Sequence, residues 1–197
     1  LMTVKSWRLI SIARVIAYLA ANGGESTARA IAAPFIPEDA EEIIIDMPMR
    51  TKRDVGQAAY DQGANRIAAH LDRGEDVVML CEGDPFFYGS FMYMFARLSQ
   101  NYPAVVVPGV TSITAAAAAM GQPLCERDDV LKVLPATMPE ADLARELSTT
   151  SAAAIIKVGR HFGKLRRVLQ SLNLANAATA VEYATQDKQV IRDITQI

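Results

Sequence analysis

Apolar runs alternate with amphipathic stretches from one end of the chain to the other, and the periods of the two can be told apart. Met2 to Arg14 has helical spacing, and VIAYL from Val15 reads as a strand. NGGES from Asn22 punctuates the chain; Ser26 can cap a helix over TARAIAA, and Pro34 should stop it. EIIIDM, around Ile43 to Met47, is strand-like. Asp54 can cap a long amphipathic helix running to about Asp72 and closed by Gly74. VVMLC then reads as a buried strand, the segment through Phe91, Met94, Phe95 and Leu98 as a helix, and AVVV, Ala104 to Val107, as another strand. Thr111 or Ser112 caps a helix through the alanine run, which Gly121 and Pro123 terminate.

A second round of alternation follows. VLKVL near Val130 to Leu134 and AAAIIKV ending at Val158 are strands, with a helix from about Glu140 to Leu147 between them. Another helix lies near Phe162 to Leu172, and TAVEY and QVIRDI are the last strands. Strands alternating with helices predict an α/β protein with parallel, doubly wound sheets. The short proline-bearing join from Gly121 to Arg127 predicts a boundary between two α/β domains, 1–122 and 123–197, the second of them truncated.

Composition narrows the partners. With 197 residues and 51% hydrophobic content the chain can bury a sizeable core, and 20 basic against 22 acidic residues give no global field for nucleic acid or an anionic membrane. Cys81 and Cys125 lack CxxC spacing, and His70 and His161 are as isolated, so neither a protein metal site nor a disulfide scaffold is expected. No apolar run approaches the roughly 20 residues of a membrane-spanning helix, and no cleavable signal is evident; the expectation is a reduced, cytoplasmic protein.

Two loops share one construction. EGDPFFYG from Glu82 and VPGVTS from Val107 each follow a buried strand, carry glycine and proline, and lead into a helix. In open parallel sheets ligands bind beyond the carboxyl ends of strands, where free backbone N–H groups and helix amino termini converge. Gly83 permits close backbone approach, Asp84 can cap the following helix, and Pro85 suits its first position. The chain has neither GxxxxGK[ST] nor GxGxxG, so a nucleotide phosphate is not the expected ligand.

GDPFFYGSF and VPGVTS resemble the signature loops of the tetrapyrrole methylases, and the resemblance spans nearly the whole chain. GGESTARAI from Gly23, LCEGDPFFYGSFMY from Leu80, VLPAT from Val133 and IIKVGRHF from Ile155 narrow it to members acting on carbon 20 of the macrocycle. The resemblance implies two α/β domains of the class III methyltransferase type with the site in the cleft between them. It also implies S-adenosylmethionine as cofactor, a reduced tetrapyrrole (precorrin-2 or its cobalt form) as substrate, and a homodimer. Family members open with a strand and a GxGPGDP loop, which would fall just before Leu1.

The same resemblance places Cys81, Glu82, Gly83 and Asp84 against the methionine end of the cofactor, with Thr111 and Ser112 beside it. Ile156, Lys157 and Val158, together with Glu182, Tyr183 and Ala184, would reach the adenosine. A substrate rich in carboxylates calls for scattered cations, and the candidates are Arg50, Lys52 and Arg53 before a helix, and Arg127, Lys157, Arg160 and Lys164, expected to cluster near the second-domain strand ends. Methyl transfer from a sulfonium needs no protein nucleophile; Tyr88 and His161 are the candidates for handling the proton that leaves the methylated carbon. Other readings of the same loops are a methylase acting at another carbon and a non-catalytic module binding adenosine or tetrapyrrole.

Overall fold

The computed structural model describes residues 1–21, 24–47 and 53–197, with side chains described from residue 56 in the last stretch. The chain forms two compact units, Leu1–Thr111 and Ser112–Ile197, so the alanine-rich helix groups with the second unit and not the first.

In the first unit β1 (Val15–Ala21) is central, parallel to β2 (Glu41–Met47) on one side and to β3 (Val77–Met79) on the other. VIAYLAA is apolar at consecutive positions because both of its faces are covered. On one face Val15 and Ala17, with Ile43 and Ile45 of β2, pack against Tyr60, Ala64 and Ile67 of α3 (Arg53–Leu71) and Met94 of α4 (Phe91–Leu98). On the other, Ile16, Tyr18 and Ala20 meet Ile10 of α1 (Val4–Ile10), Ala32 of α2 (Thr27–Ala32), and Leu80. Helices on both faces of a parallel sheet are the doubly wound arrangement the periodicity predicts. The caps follow the sequence too: Thr3 accepts from Ser6 N–H at the start of α1, and Ser26 from Arg29 N–H at the start of α2. Gly74, at φ +75, ends α3 with the Glu75 N–H donating to the His70 carbonyl.

Two expectations in this unit need correction. The run Ala104–Val107 joins no sheet. A cavity of about 430 Å³, lined by Val77 to Leu80 on one side and Val105 to Val107 on the other, separates it from the outer edge of β3, and Val105 is 76% exposed. A β-rich sequence without a ladder partner in reach stays extended coil, since its N–H groups have nothing in the sheet to bond. The second correction concerns Asp84 and Pro85, which do not open a helix: α4 begins at Phe91, after Ser90. The intervening residues are used in a folded turn.

The second unit contains α5 (Ser112–Met120), a parallel pair β4 (Leu131–Pro135) and β5 (Ala152–Ile156), α6 (Glu140–Leu147), α7 (Phe162–Ser171), and an antiparallel pair β6 (Thr179–Glu182) and β7 (Val190–Asp193). Leu143 and Leu147 of α6 and Leu165, Val168 and Leu169 of α7 bury their apolar stripes with Leu134 and Ile194. The last strands thus form a separate antiparallel hairpin and do not extend the parallel pair. No described helix is long and apolar enough to cross a membrane.

Candidate functional site

The last sheet bond of β3 is made by Leu80, whose N–H donates to the Ala17 carbonyl at 2.8 Å; beyond it the chain leaves the sheet. Gly83 takes φ +64, a conformation that side chains rarely adopt. Asp84 then binds two segments at once. Its Oδ1 accepts from Phe86 N–H at 3.0 Å, closing its own turn, and its Oδ2 accepts from Gly109 N–H at 2.9 Å, gripping the second loop. Phe87 N–H donates to the Asp84 carbonyl at 3.2 Å. The two glycine turns are so tightly opposed that a Cβ built on Gly109 would lie 1.9 Å from the Gly83 carbonyl oxygen. A Cβ on Gly89 would lie 2.6 Å from the Pro85 carbonyl oxygen, so the glycine ending the turn is also required by backbone contact. Beyond the clamp, Gly83 lies under Val110 and Thr111: its Cβ would be 3.6 Å from the Val110 carbonyl and 3.9 Å from Thr111 Cα.

The structure therefore brings Gly83 and Asp84 together with Gly109, Val110 and Thr111, and Ser112 follows as the first residue of α5. Gly109 and Phe86 were not singled out by sequence reasoning. The PG dipeptide marked a turn, but the reason Gly109 has no side chain is a carbonyl of a loop 26 positions earlier (109 − 83), invisible to local pattern. Phe86 anchors the turn: its ring stands edge-on to Phe95 at 5.0 Å and beside Phe91 at 5.7 Å.

Charge at the turn is negative. Burial, and then the carboxylates of Glu82 and Asp84, push the Cys81 thiol up to about 12, so it stays protonated and acts as a small apolar wall. Burial, the larger cause, resists charge of either sign; the two carboxylates are what lean the turn toward a cation. Backbone packed without intervening side chains, an exposed Glu82 and a local negative potential fit a ligand that carries positive charge where it meets the loop. Among the described residues no group of three His, Cys, Asp or Glu could hold a metal ion.

Of the proton-handling candidates, Tyr88 is 42% exposed at φ +55 and stands edge-on to Phe87. His161 closes the short 3-10 turn Gly159–His161 ahead of α7 and is half-buried.

In the second unit, Ile156 ends β5 with its carbonyl accepting from Ala136 N–H at 2.8 Å, and Lys157 turns the chain at φ +56 before Val158. Glu182 ends β6, Tyr183 and Thr185 both have positive φ (52° and 66°) on either side of Ala184, and the Lys188 ammonium lies 4.1 Å over the Tyr183 ring. These two turns belong to different sheets. Bulky residues in left-handed backbone at two strand ends are a local cost that the surrounding turn must hold in place.

One of the expected second-unit cations stands apart from the others. Arg127, at φ +45, lies on the amino-terminal side of β4, whereas Lys157 and Arg160 follow the carboxyl end of β5, and the two strands are parallel. Lys164 of α7 donates its ammonium to the Met138 carbonyl. Arg50 and Lys52 lie outside the described residues, and Arg53 is described only as the first residue of α3.

The family model for tetrapyrrole (corrin/porphyrin) methylases matches residues 1–196. A precorrin-2 C(20)-methyltransferase from a Sinorhizobium species is 39% identical over 94% of this chain and 79% of its own length. The cobalamin biosynthesis protein CobIJ of Mycobacterium tuberculosis is 42% identical over 94% of this chain, which spans 38% of that protein. A uroporphyrin-III C-methyl transferase from Thermus thermophilus, solved complexed with S-adenyl homocysteine, shares the fold at TM-score 0.64 and 20% identity, over 98% of this chain and 78% of its own.

Proposed function

We propose, since the chain belongs to the tetrapyrrole (corrin/porphyrin) methylases, that it transfers a methyl group from S-adenosylmethionine to carbon 20 of precorrin-2 in cobalamin biosynthesis. The observation that carries this reading is the clamp between the two glycine turns, where Asp84 holds Gly109 N–H and the Gly83 carbonyl occupies the space a side chain at 109 would need. Bound there, S-adenosylmethionine supplies an already activated methyl group on a cationic sulfur. The chain's own residues have the work of orientation and of keeping water out.

Glu82 and Asp84 give the turn a negative potential that complements a sulfonium, and the protonated Cys81 adds an apolar wall that does not compete as a nucleophile. Thr111 and Ser112 are read as further contacts on this side of the cofactor. In the second unit the strained turns at Ile156–Lys157–Val158 and Glu182–Tyr183–Ala184 are read as adenosine contacts, supported by the positive φ of Lys157 and Tyr183. Arg160, an exposed second-unit cation, is read as a carboxylate partner, with Arg50, Lys52 and Arg53 on the first unit. Tyr88 and His161 are read as the groups within the motifs able to take the departing proton. A cytoplasmic homodimer completes this reading, on the prevalence of closed two-fold pairs among soluble oligomers.

Calorimetric titration of the natural protein carrying this sequence, with S-adenosylmethionine and then S-adenosylhomocysteine, tests the cofactor assignment. Binding of both supports it, and binding of neither overturns it. Binding without methylation of precorrin-2 identifies a ligand-holding module instead of an enzyme.

A further inference from the structure

The turn from Asp84 to Gly89 is closed by three backbone constraints, and what it gains from them is the placement of two aromatic rings. Asp84 holds Phe86 N–H through its side chain and Phe87 N–H through its carbonyl, Gly89 is pressed against the Pro85 carbonyl, and Tyr88 is held at φ +55. Phe86 turns back onto Phe91 and Phe95. All three rings keep open surface: Phe86 is 47% exposed, and Phe87 and Tyr88, edge-to-face with 5.2 Å between centroids, are 37% and 42% exposed. A left-handed backbone is unfavourable for a tyrosine, so the turn holds Tyr88 there against a local cost. Exposed aromatic surface beside a backbone clamp is the kind of patch that covers a ligand.

We propose that Phe87, with Tyr88 buttressing it edge-on, is a positioning residue that lies against the uncharged flat part of the tetrapyrrole and sets which part of the ring reaches the methyl donor. The inference rests on the function proposed above. Electrostatics choose the orientation: Glu82 and Asp84 flank this end of the turn and repel the macrocycle's carboxylates, leaving the conjugated, uncharged ring atoms as what can approach. Aromatic rings meet such surfaces by offset stacking or edge-on contact, which needs a planar group and not merely an apolar one.

The test uses uroporphyrin III, a fluorescent and fully oxidised octacarboxylate macrocycle, titrated into the natural protein and into Phe87→Ala, Phe87→Leu and Phe87→Tyr, with S-adenosylhomocysteine affinity measured on each. Phe87→Ala is expected to weaken uroporphyrin binding and raise the precorrin-2 KM roughly tenfold, the scale of one aromatic stacking contact. Its kcat should fall as well, by up to about a hundredfold, because a macrocycle that is no longer held in register reaches the methyl donor less often, while cofactor affinity stays unchanged. Phe87→Tyr should restore both values and Phe87→Leu should not, a distinction that a purely structural role would not produce. Unchanged uroporphyrin affinity in Phe87→Ala, alongside normal binding by the unaltered protein, overturns this proposal and leaves the methylase reading standing. Failure of the unaltered protein to bind uroporphyrin and to methylate precorrin-2 overturns both.

Discussion

Asp84 and Gly109 are 25 positions apart in the chain and joined by one 2.9 Å hydrogen bond, from the glycine N–H to the carboxylate Oδ2. The same glycine abuts the Gly83 carbonyl so closely that no side chain can stand between them. One carboxylate and one missing side chain thereby set the separation of two loops, and that separation defines the candidate site.

Gly109→Ala should cost more stability than any other glycine substitution in the two loops. A methyl group 1.9 Å from a backbone oxygen has no flexible neighbour to push aside, so the loops must part; the expected loss in urea denaturation is about 3 kcal/mol, the upper end of overpacking costs. Gly121→Ala is the control. There the added Cβ meets nothing within 4 Å but φ is +65, so only the left-handed penalty of about 1–2 kcal/mol applies. Asp84→Asn should also cost about 1–2 kcal/mol, less than Gly109→Ala, since the amide can replace one accepting oxygen and not both. Equal losses for Gly109→Ala and Gly121→Ala would dissolve the clamp.

The two thiols should react in sequence. Cys125 is exposed, whereas Cys81 is half-buried with its thiol pushed up to about 12, chiefly by burial and further by Glu82 and Asp84. At pH 8, iodoacetamide labelling followed by peptide mass mapping should modify Cys125 alone in the folded protein, and both after unfolding. Labelling of Cys81 at the rate of Cys125 would contradict the environment described for the turn.

Stability should fall as the solution is acidified. Glu42 is held below its ordinary 4.5 by hydrogen bonds from Arg29 and Tyr18, and Glu75, Glu140 and Glu146 are lowered by Arg73, Arg167 and Lys132. A carboxylate whose folded pKa is depressed binds fewer protons when folded than when unfolded. Its stabilisation is complete above the unfolded value and is lost as pH falls through that value toward the folded one. Urea midpoints measured from pH 7 down to pH 3 should therefore drop mainly below the ordinary glutamate value of 4.5, and Glu42→Gln should flatten the drop. A Glu42→Gln profile parallel to the unaltered one would remove the Arg29–Glu42 pair, bidentate at 2.8 and 3.1 Å, from this account.

No single acid or base should be indispensable. Alignment can contribute more to such a displacement than general acid-base catalysis, which is worth about a hundred- to ten-thousand-fold. Tyr88→Phe and His161→Ala should each lose less than about a hundredfold in single-turnover methylation. A loss of several thousandfold, roughly the top of that range, with ligand affinities intact would make that residue the required base.

Much of the fold was legible because its signals are local. Apolar runs located β1 to β5 within a residue or two, Ser26 announced its helix, and Gly74 and Gly121 announced helix ends through backbone conformations that glycine favours. The errors arose where a partner decides the outcome. AVVV has the composition of a strand but no ladder to join, and Asp84 has the chemistry of a helix cap yet spends both oxygens on turn and loop N–H groups before the helix starts. Gly83 was readable as a close-approach glycine, but its φ of +64 means that Gly83→Val strains the turn itself as well as any ligand contact. Arg127 was grouped with Lys157, Arg160 and Lys164 from sequence, yet it precedes β4 while Lys157 and Arg160 follow β5, at the opposite end of the parallel pair.

The most direct measurement is a single turnover of the natural protein with S-adenosylmethionine carrying carbon-13 in its methyl group and with precorrin-2, read by carbon NMR of the macrocycle. One new labelled methyl resonance, assigned to carbon 20, should appear in step with S-adenosylhomocysteine. Label at a different carbon, or cofactor bound with no label transferred, would contradict the proposed methylation.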